Sequence, residues 1–312
     1  MCVTVSCVFE HLGRWHKIFS YVGLVLFSVT GSLLAEMSKG PDGRYPYDPI
    51  YVPVFVELLK MFLSCGILLC TEGFKGLYTF SFKQYILFSI PAACYFLSNT
   101  CMFFIIADIG VLQYQVLSNM KVIFSAFAMR VFLGRVLSTR QWVALLLLLL
   151  GMLSAQWRGE TSLVLRTRMR GYLLVIITSI ASSVGGVFSE KLLKSRVAGN
   201  NMHFKNIQLY SWGLFFGVVA VLGVADDAFV SLRGLWSTLV CLMVLTMSMT
   251  GITVSFILRY SDSLAKSFVA SLAIVVTSLV QICRGIEKFS VNQCISIVLI
   301  SYGLQMYETR VK

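Results

Sequence analysis

From residue 18 onward the chain alternates long apolar runs with short polar connectors. Ten runs stand out, at about 18–36, 50–70, 84–106, 111–133, 139–157, 170–193, 204–225, 237–258, 266–284 and 289–307. A bilayer core takes about 20 residues of helix, so each run predicts a membrane-spanning helix. The connectors, about 4 to 15 residues long, leave no room for a separate soluble domain.

The pattern also repeats. LSTRQW…LLG around Ser138, Gln141 and Gly151 recurs as FSVNQC…SYG around Ser290, Gln293 and Gly303, at a constant offset of 152 residues. The same offset carries the start of the first run near Ile18 onto the start of the sixth near Arg170. Five helices per copy is an odd number, so the second copy inserts upside down. That is the inverted-repeat plan of secondary transporters, with the substrate near the midplane between the halves. The expected fold is therefore an all-α polytopic membrane protein of ten transmembrane helices in two inverted five-helix repeats. Repeat one covers about 18–157 and repeat two about 170–307, within one membrane domain over residues 1–312.

Composition agrees. Hydrophobic residues make up 57% of the chain and charged residues 13%, and the mean hydropathy is +0.81, far from a soluble domain. The net charge of +12 invites a nucleic-acid reading. The basic residues are instead scattered among short loops, without the aromatic interleaving of a binding stripe. With ten spans and both termini on one side, that side carries 15 Lys and Arg and the other nine, with Lys60 and Lys121 inside spans. The excess predicts cytosolic termini, although RTRMR at Arg166 to Arg170 argues locally the other way. Most of the nine cysteines, including Cys65, Cys94 and Cys283, fall in or beside apolar runs and read as core thiols. His11, His16 and His203 are too dispersed for a metal cluster. No catalytic constellation or cofactor motif is present, so an enzyme is disfavoured. The basic lead and first apolar run lack a small-residue cleavage site and read as a first span.

The polar residues inside spans carry the candidate chemistry. YQVLSNMKV, Tyr114 to Val122, puts Lys121 near the middle of the fourth run. A charge there normally faces a cavity or a partner. At about 100° per residue, Tyr114, Ser118 and Lys121 share one face of a helix, which would suit an anionic ligand with a flat ring; a structural ion pair is the alternative. Glu57 and Lys60 stand at i, i+3 spacing and read as such a pair. Asn99 lies one turn from Tyr95 and from Met102, and can face a cavity or bond a neighbouring helix. Asn206, Tyr210 and Gly213 share a face of the seventh span. Ser263 and Lys266 lie one turn apart at a helix N-terminus, where the dipole favours anions; an interfacial anchor is the equal alternative for Lys266.

YQVLSNMKV resembles the YQV…LK segment of nucleotide-sugar transporters, within the drug/metabolite transporter superfamily. GRYPYDPIYVPVFVELLK, VGGVFSEKLLK, NIQLYSWG, RYSDSLAKSFVASLAIVVTSLV and LQMY follow in the same order. They are most similar to the branch of CMP-sialic acid and UDP-galactose transporters. The resemblance implies exchange of a cytosolic nucleotide sugar for a luminal nucleoside monophosphate in the Golgi or endoplasmic reticulum membrane. It implies that Lys121 pairs with phosphate, Tyr114 contacts the nucleotide, Asn99, Asn206 and Tyr210 line the cavity, and Lys266 adds a second cation. Nucleic acid is not among the implied partners, and there is room for a homodimer. Three positions depart from the family pattern: Ser263 stands for an Asn, Thr100 replaces one amide of an NN pair, and Trp212 stands where the sialic acid transporter has a small hydroxyl residue. If Trp212 faces the sugar, it narrows the cavity and favours a UDP-hexose over CMP-sialic acid. A non-transporting scaffold of the same fold is the rival class.

Overall fold

The structure, a computed structural model, describes residues 2–38, 45–48, 50–73, 81–109, 114, 117–156, 169–195, 201–224, 233–285 and 291–309. Residues 166–168 of the basic segment, Ser290, and the side chains of His11 and Met102 lie outside the described residues. Ten α-helices occur among them: α1 Cys2–Met37, α2 Tyr51–Glu72, α3 Phe82–Ile109, α4 Lys121–Leu133, α5 Thr139–Gln156, α6 Met169–Lys194, α7 Met202–Val224, α8 Thr238–Tyr260, α9 Ser263–Cys283 and α10 Val291–Glu308. Six of them, α1, α2, α6, α7, α8 and α9, are long and apolar enough to cross a membrane. Large apolar side chains such as Phe19, Val131 and Leu222 are more than two-thirds exposed, as lipid-facing positions of a multi-pass membrane protein are.

Local chemistry sets several helix ends. Ser138 and Gln141 form a reciprocal cap at the start of α5: the Ser138 N–H donates to Gln141 Oε1 at 3.1 Å and the Gln141 N–H to Ser138 Oγ at 3.3 Å. The repeated S-x-x-Q of the sequence therefore has a physical meaning at its first occurrence. Ser237 caps α8 by accepting from the Val240 N–H. Gly134 ends α4 with φ +63°, a left-handed position that favours glycine.

The chain folds into two compact units. The first comprises Met1–Ala92 and Leu192–Asp262, the second Ala93–Lys191 and Ser263–Lys312. Each draws on both halves of the sequence. The boundary inside α3 falls just after Pro91, which cannot donate a helix hydrogen bond.

In the first unit α1 packs on α8, and α2 on α7 and α8. Gly23 and Gly31 bring α1 close to Thr253 and Thr246 of α8, a small-residue interface of the kind that drives association within lipid. Tyr47, Tyr51, Val52, Leu235, Val240 and Met243 form its apolar core. The carbonyl of Leu193, in the last turn of α6, accepts from Lys205 Nζ at 3.3 Å and from Arg259 Nη1, so cations complement that helix end.

In the second unit α5 packs on α10, α9 on α10 and α4, and α3 on α6. Gly151 and Gly303, paired by the offset of 152, make reciprocal approaches. A Cβ at Gly151 would meet the Ser296 carbonyl and Leu299 Cβ at 3.2 Å each, and one at Gly303 the Ala144 carbonyl at 3.1 Å and Leu147 Cβ at 3.4 Å. Ala144 and Ser296, and Leu147 and Leu299, are themselves 152 residues apart. Packing of α5 on α10 therefore has local two-fold symmetry at the offset found in the sequence. Arg170 pairs with the buried Asp108 across α3 and α6 at 3.7 Å.

Candidate functional site

Lys121 begins a helix. The sequence predicts one continuous span over 111–133; in the structure Leu117 and Ser118 are helical, Asn119 and Met120 form a turn, and α4 starts at Lys121. Met120 N–H donates to the Leu117 carbonyl and Val122 N–H to that of Asn119, both at 3.0 Å. These bonds reach three residues back, as in a 3₁₀ turn. Ser118 and Asn119 favour such a departure because their side chains compete for backbone partners. The helix therefore does not run uniformly from Ser118 to Lys121, and the 100° spacing that the sequence suggests is interrupted at Asn119 and Met120. Irregular backbone at membrane depth is tolerated where it is enclosed by protein or lines a cavity.

Around Lys121 the second unit gathers polar groups on α6. The Ser183 hydroxyl lies 2.7 Å from the Lys121 carbonyl and 2.7 Å from that of Ser179, sharing its proton between them. One turn on, Gly186 lets the start of α9 approach closely. A Cβ there would meet Ser263 Oγ at 2.7 Å, Lys266 Nζ at 3.3 Å and the Tyr95 hydroxyl at 3.7 Å. The Tyr95 hydroxyl is buried without a hydrogen-bond partner, and Lys266 Nζ stands 5.7 Å from the Tyr95 ring centroid. A further turn on, Glu190 Oε2 accepts the Ser263 N–H at 2.8 Å.

Among the described residues no carboxylate forms an ion pair with Lys121 or Lys266. Cations without a paired carboxylate and a buried hydroxyl without a partner are groups whose missing counter-charge and acceptor an anion would supply. Tyr114 is part-buried beside Ile105, Ile109 and Val175, Ser118 is half-buried, and Asn99 is exposed on α3 one turn beyond Tyr95.

Asn206 and Tyr210 belong to the first unit. Asn206 is fully buried with both amide atoms unpartnered. The Tyr210 hydroxyl is 3.0 Å from Ser255 Oγ, and Lys60 Nζ lies 4.3 Å from its ring centroid. Lys60 also donates to Glu57 Oε1 at 2.5 Å, so the sequence-expected pair is made. Two glycines give it space: a Cβ at Gly213 would lie 2.9 Å from Glu57 Oε2, and one at Gly251 2.5 Å from Lys60 Cδ. Trp212 turns elsewhere. Its Nε1 donates to the Tyr85 carbonyl at 2.9 Å and its ring packs with Tyr85, Phe215 and Phe216. Two residues along a helix from Tyr210, it points about 200° around the axis and so lies on another side of α7.

Sequence reasoning missed Tyr95, Ser183, Gly186 and Glu190 as site residues. The signal was present: Ser179, Ser183, Gly186 and Glu190 follow 4, 3, 4 spacing, one face of α6. Among the described residues no cluster of His, Cys, Asp and Glu is able to hold a metal.

The family model for the nucleotide-sugar transporter matches residues 14–304. The chain is similar to CMP-sialic acid transporter 2 of Oryza sativa subsp. indica, at 31% identity over 276 residues, covering 85% of this chain and 77% of the relative. It is similar to UDP-galactose translocator 1 of Caenorhabditis elegans, at 28% identity and 69% coverage of each. A solved crystal structure superposes with a TM-score of 0.69 over 95% of this chain and 96% of that one, at 14% identity, a likeness of fold.

Proposed function

The chain belongs to the nucleotide-sugar transporter family, a family of transporters and not of enzymes, and from that membership we propose that it exchanges a cytosolic pyrimidine nucleotide sugar for a luminal nucleoside monophosphate across the Golgi or endoplasmic reticulum membrane. In this reading ten spans form two inverted repeats, with both termini cytosolic. Lys121 and Lys266 neutralise the phosphate. Tyr114, Ser118, Asn99, Asn206 and Tyr210 contact the rest of the nucleotide sugar.

One observation carries the reading: two lysines at helix starts that are both anchored to one face of α6, with no carboxylate paired to either among the described residues, and the unpartnered Tyr95 hydroxyl near Lys266. A structural ion pair has the opposite form, as Glu57 and Lys60 illustrate. The break before α4 adds support, because discontinuous helices aim their positive N-terminal ends at anionic substrate groups in transporters. A UDP-hexose is favoured only if Trp212 faces the sugar, and its packing on Tyr85 adds no support for that, so a UDP-hexose and CMP-sialic acid are both substrates to be tested.

The test is uptake by purified protein in liposomes across a panel of UDP-galactose, UDP-N-acetylglucosamine, CMP-sialic acid and a GDP-sugar. At least one pyrimidine nucleotide sugar enters and the GDP-sugar does not. Uptake of the GDP-sugar alone, or of none of the panel, contradicts the proposal.

A further inference from the structure

One face of α6 touches the starts of two other helices. Ser183 holds the backbone where α4 begins, through the Lys121 carbonyl at 2.7 Å. Two turns further on, Glu190 holds the backbone where α9 begins, through the Ser263 N–H at 2.8 Å. Both helix starts carry a lysine, Lys121 at the first residue of α4 and Lys266 three residues into α9. Between the two anchors lies Gly186, whose missing side chain leaves room for Ser263 Oγ and Lys266 Nζ. Ser183 and Glu190 are both almost completely buried, so water does not compete for these bonds.

The two anchors differ in chemistry. Ser183 is a neutral donor to a carbonyl that α4 would otherwise leave to its own next turn. Glu190 brings a carboxylate to the positive end of α9, a cap supplied by another helix. Among the described residues neither is paired with the Lys121 or Lys266 ammonium group, and each fixes the backbone from which one of those lysines projects. A misplacement of about 1 Å in a charged group is enough to lose much of its effect on a bound anion.

We propose that Ser183 and Glu190 are positioning residues that use α6 as a ruler, setting the separation of the Lys121 and Lys266 ammonium groups to fit one phosphate group. The inference rests on the assignment of those lysines to the phosphate. It makes α6 a determinant of phosphate recognition without contact to the phosphate.

The consequence is selective. Loosening either anchor weakens binding of a ligand that carries phosphate and leaves its nucleoside unaffected. The measurement is the dissociation constant of purified protein for UMP and uridine, and for CMP and cytidine, together with the melting temperature without ligand. Ser183→Ala weakens the monophosphate about threefold and Glu190→Ala about tenfold, in keeping with loss of a neutral and a charged hydrogen bond. The nucleoside constants stay within the error of the wild type. Ser183→Thr keeps a hydroxyl and restores binding. Glu190→Gln keeps an acceptor for the Ser263 N–H and removes a negative charge near the phosphate, so monophosphate affinity holds or rises; this variant also serves if Glu190→Ala fails to fold. Parallel loss for monophosphate and nucleoside, or a lower melting temperature with both constants unchanged, overturns the inference and makes α6 a structural brace. Wild-type protein that binds monophosphate no better than nucleoside overturns the phosphate assignment itself, and the inference with it.

Discussion

An ammonium group on a membrane-spanning helix costs about 2.5–3.5 kcal/mol at the bilayer centre unless something compensates it. The chain solves this problem in two ways. Lys60 has Glu57 at 2.5 Å and the face of Tyr210 at 4.3 Å; among the described residues Lys121 has neither a carboxylate nor a ring. Their substitutions should therefore behave oppositely. Lys60→Met strands the Glu57 carboxylate and destabilises the protein by about 3–5 kcal/mol, whereas Glu57→Gln with Lys60→Met recovers most of that loss. Thermal melting of the three variants checks this, and a double variant no better than Lys60→Met counts against it. Lys121→Ala melts close to the wild type, because an uncompensated charge has been removed, but its affinity for UMP or CMP falls by about 2–5 kcal/mol. Lys121→Arg restores only part, since a planar fork on a longer stem cannot occupy the same point. Early melting with an intact response to nucleotide would make Lys121 structural. Both lysines were visible in the sequence as charges inside apolar runs, and the i, i+3 spacing identified the pair. The groups around Lys121 were not, because Tyr95 and Gly186 look like ordinary residues of apolar helices until their distances to Lys266 are known.

Among helices, the glycines of α5 and α10 give the sharpest test. Gly151 and Gly303 sit where a Cβ would come within 2.8 Å of Ile300 Cγ1 and 3.0 Å of Phe268 Cε1 respectively. Gly151→Val and Gly303→Val should each destabilise the protein by about 1–3 kcal/mol through overpacking. Gly66, with open space around its Cβ position, should accept the same change with little loss. Similar melting temperatures for all three variants would mean that α5 and α10 do not meet as described. The lengths of most helices were legible from hydropathy, and the offset pattern pointed to the glycines that meet. The break before α4 was not legible, because 111–133 is apolar throughout apart from a few polar residues, and hydropathy measures composition without registering a change in hydrogen-bond spacing. The direction of Trp212 was not legible either, because its partner Tyr85 is far away in sequence.

For the whole molecule, an internal offset, reciprocal packing at that offset and a family match over residues 14–304 support one transport cycle with a single class of substrate. Pyrimidine nucleotides should compete for uptake and purine nucleotides should not, because a site that hydrogen-bonds a base edge rejects a ring without the match by a large factor; inhibition by GMP as strong as that by UMP or CMP would remove this specificity. The central claim is exchange, and trans-stimulation tests it most directly. Purified protein is placed in liposomes preloaded with UMP or CMP or left empty, and entry of the nucleotide sugar accepted in the panel is timed. The account predicts that preloading with the matching monophosphate raises the initial rate many-fold over empty liposomes; equal rates in the two would contradict it.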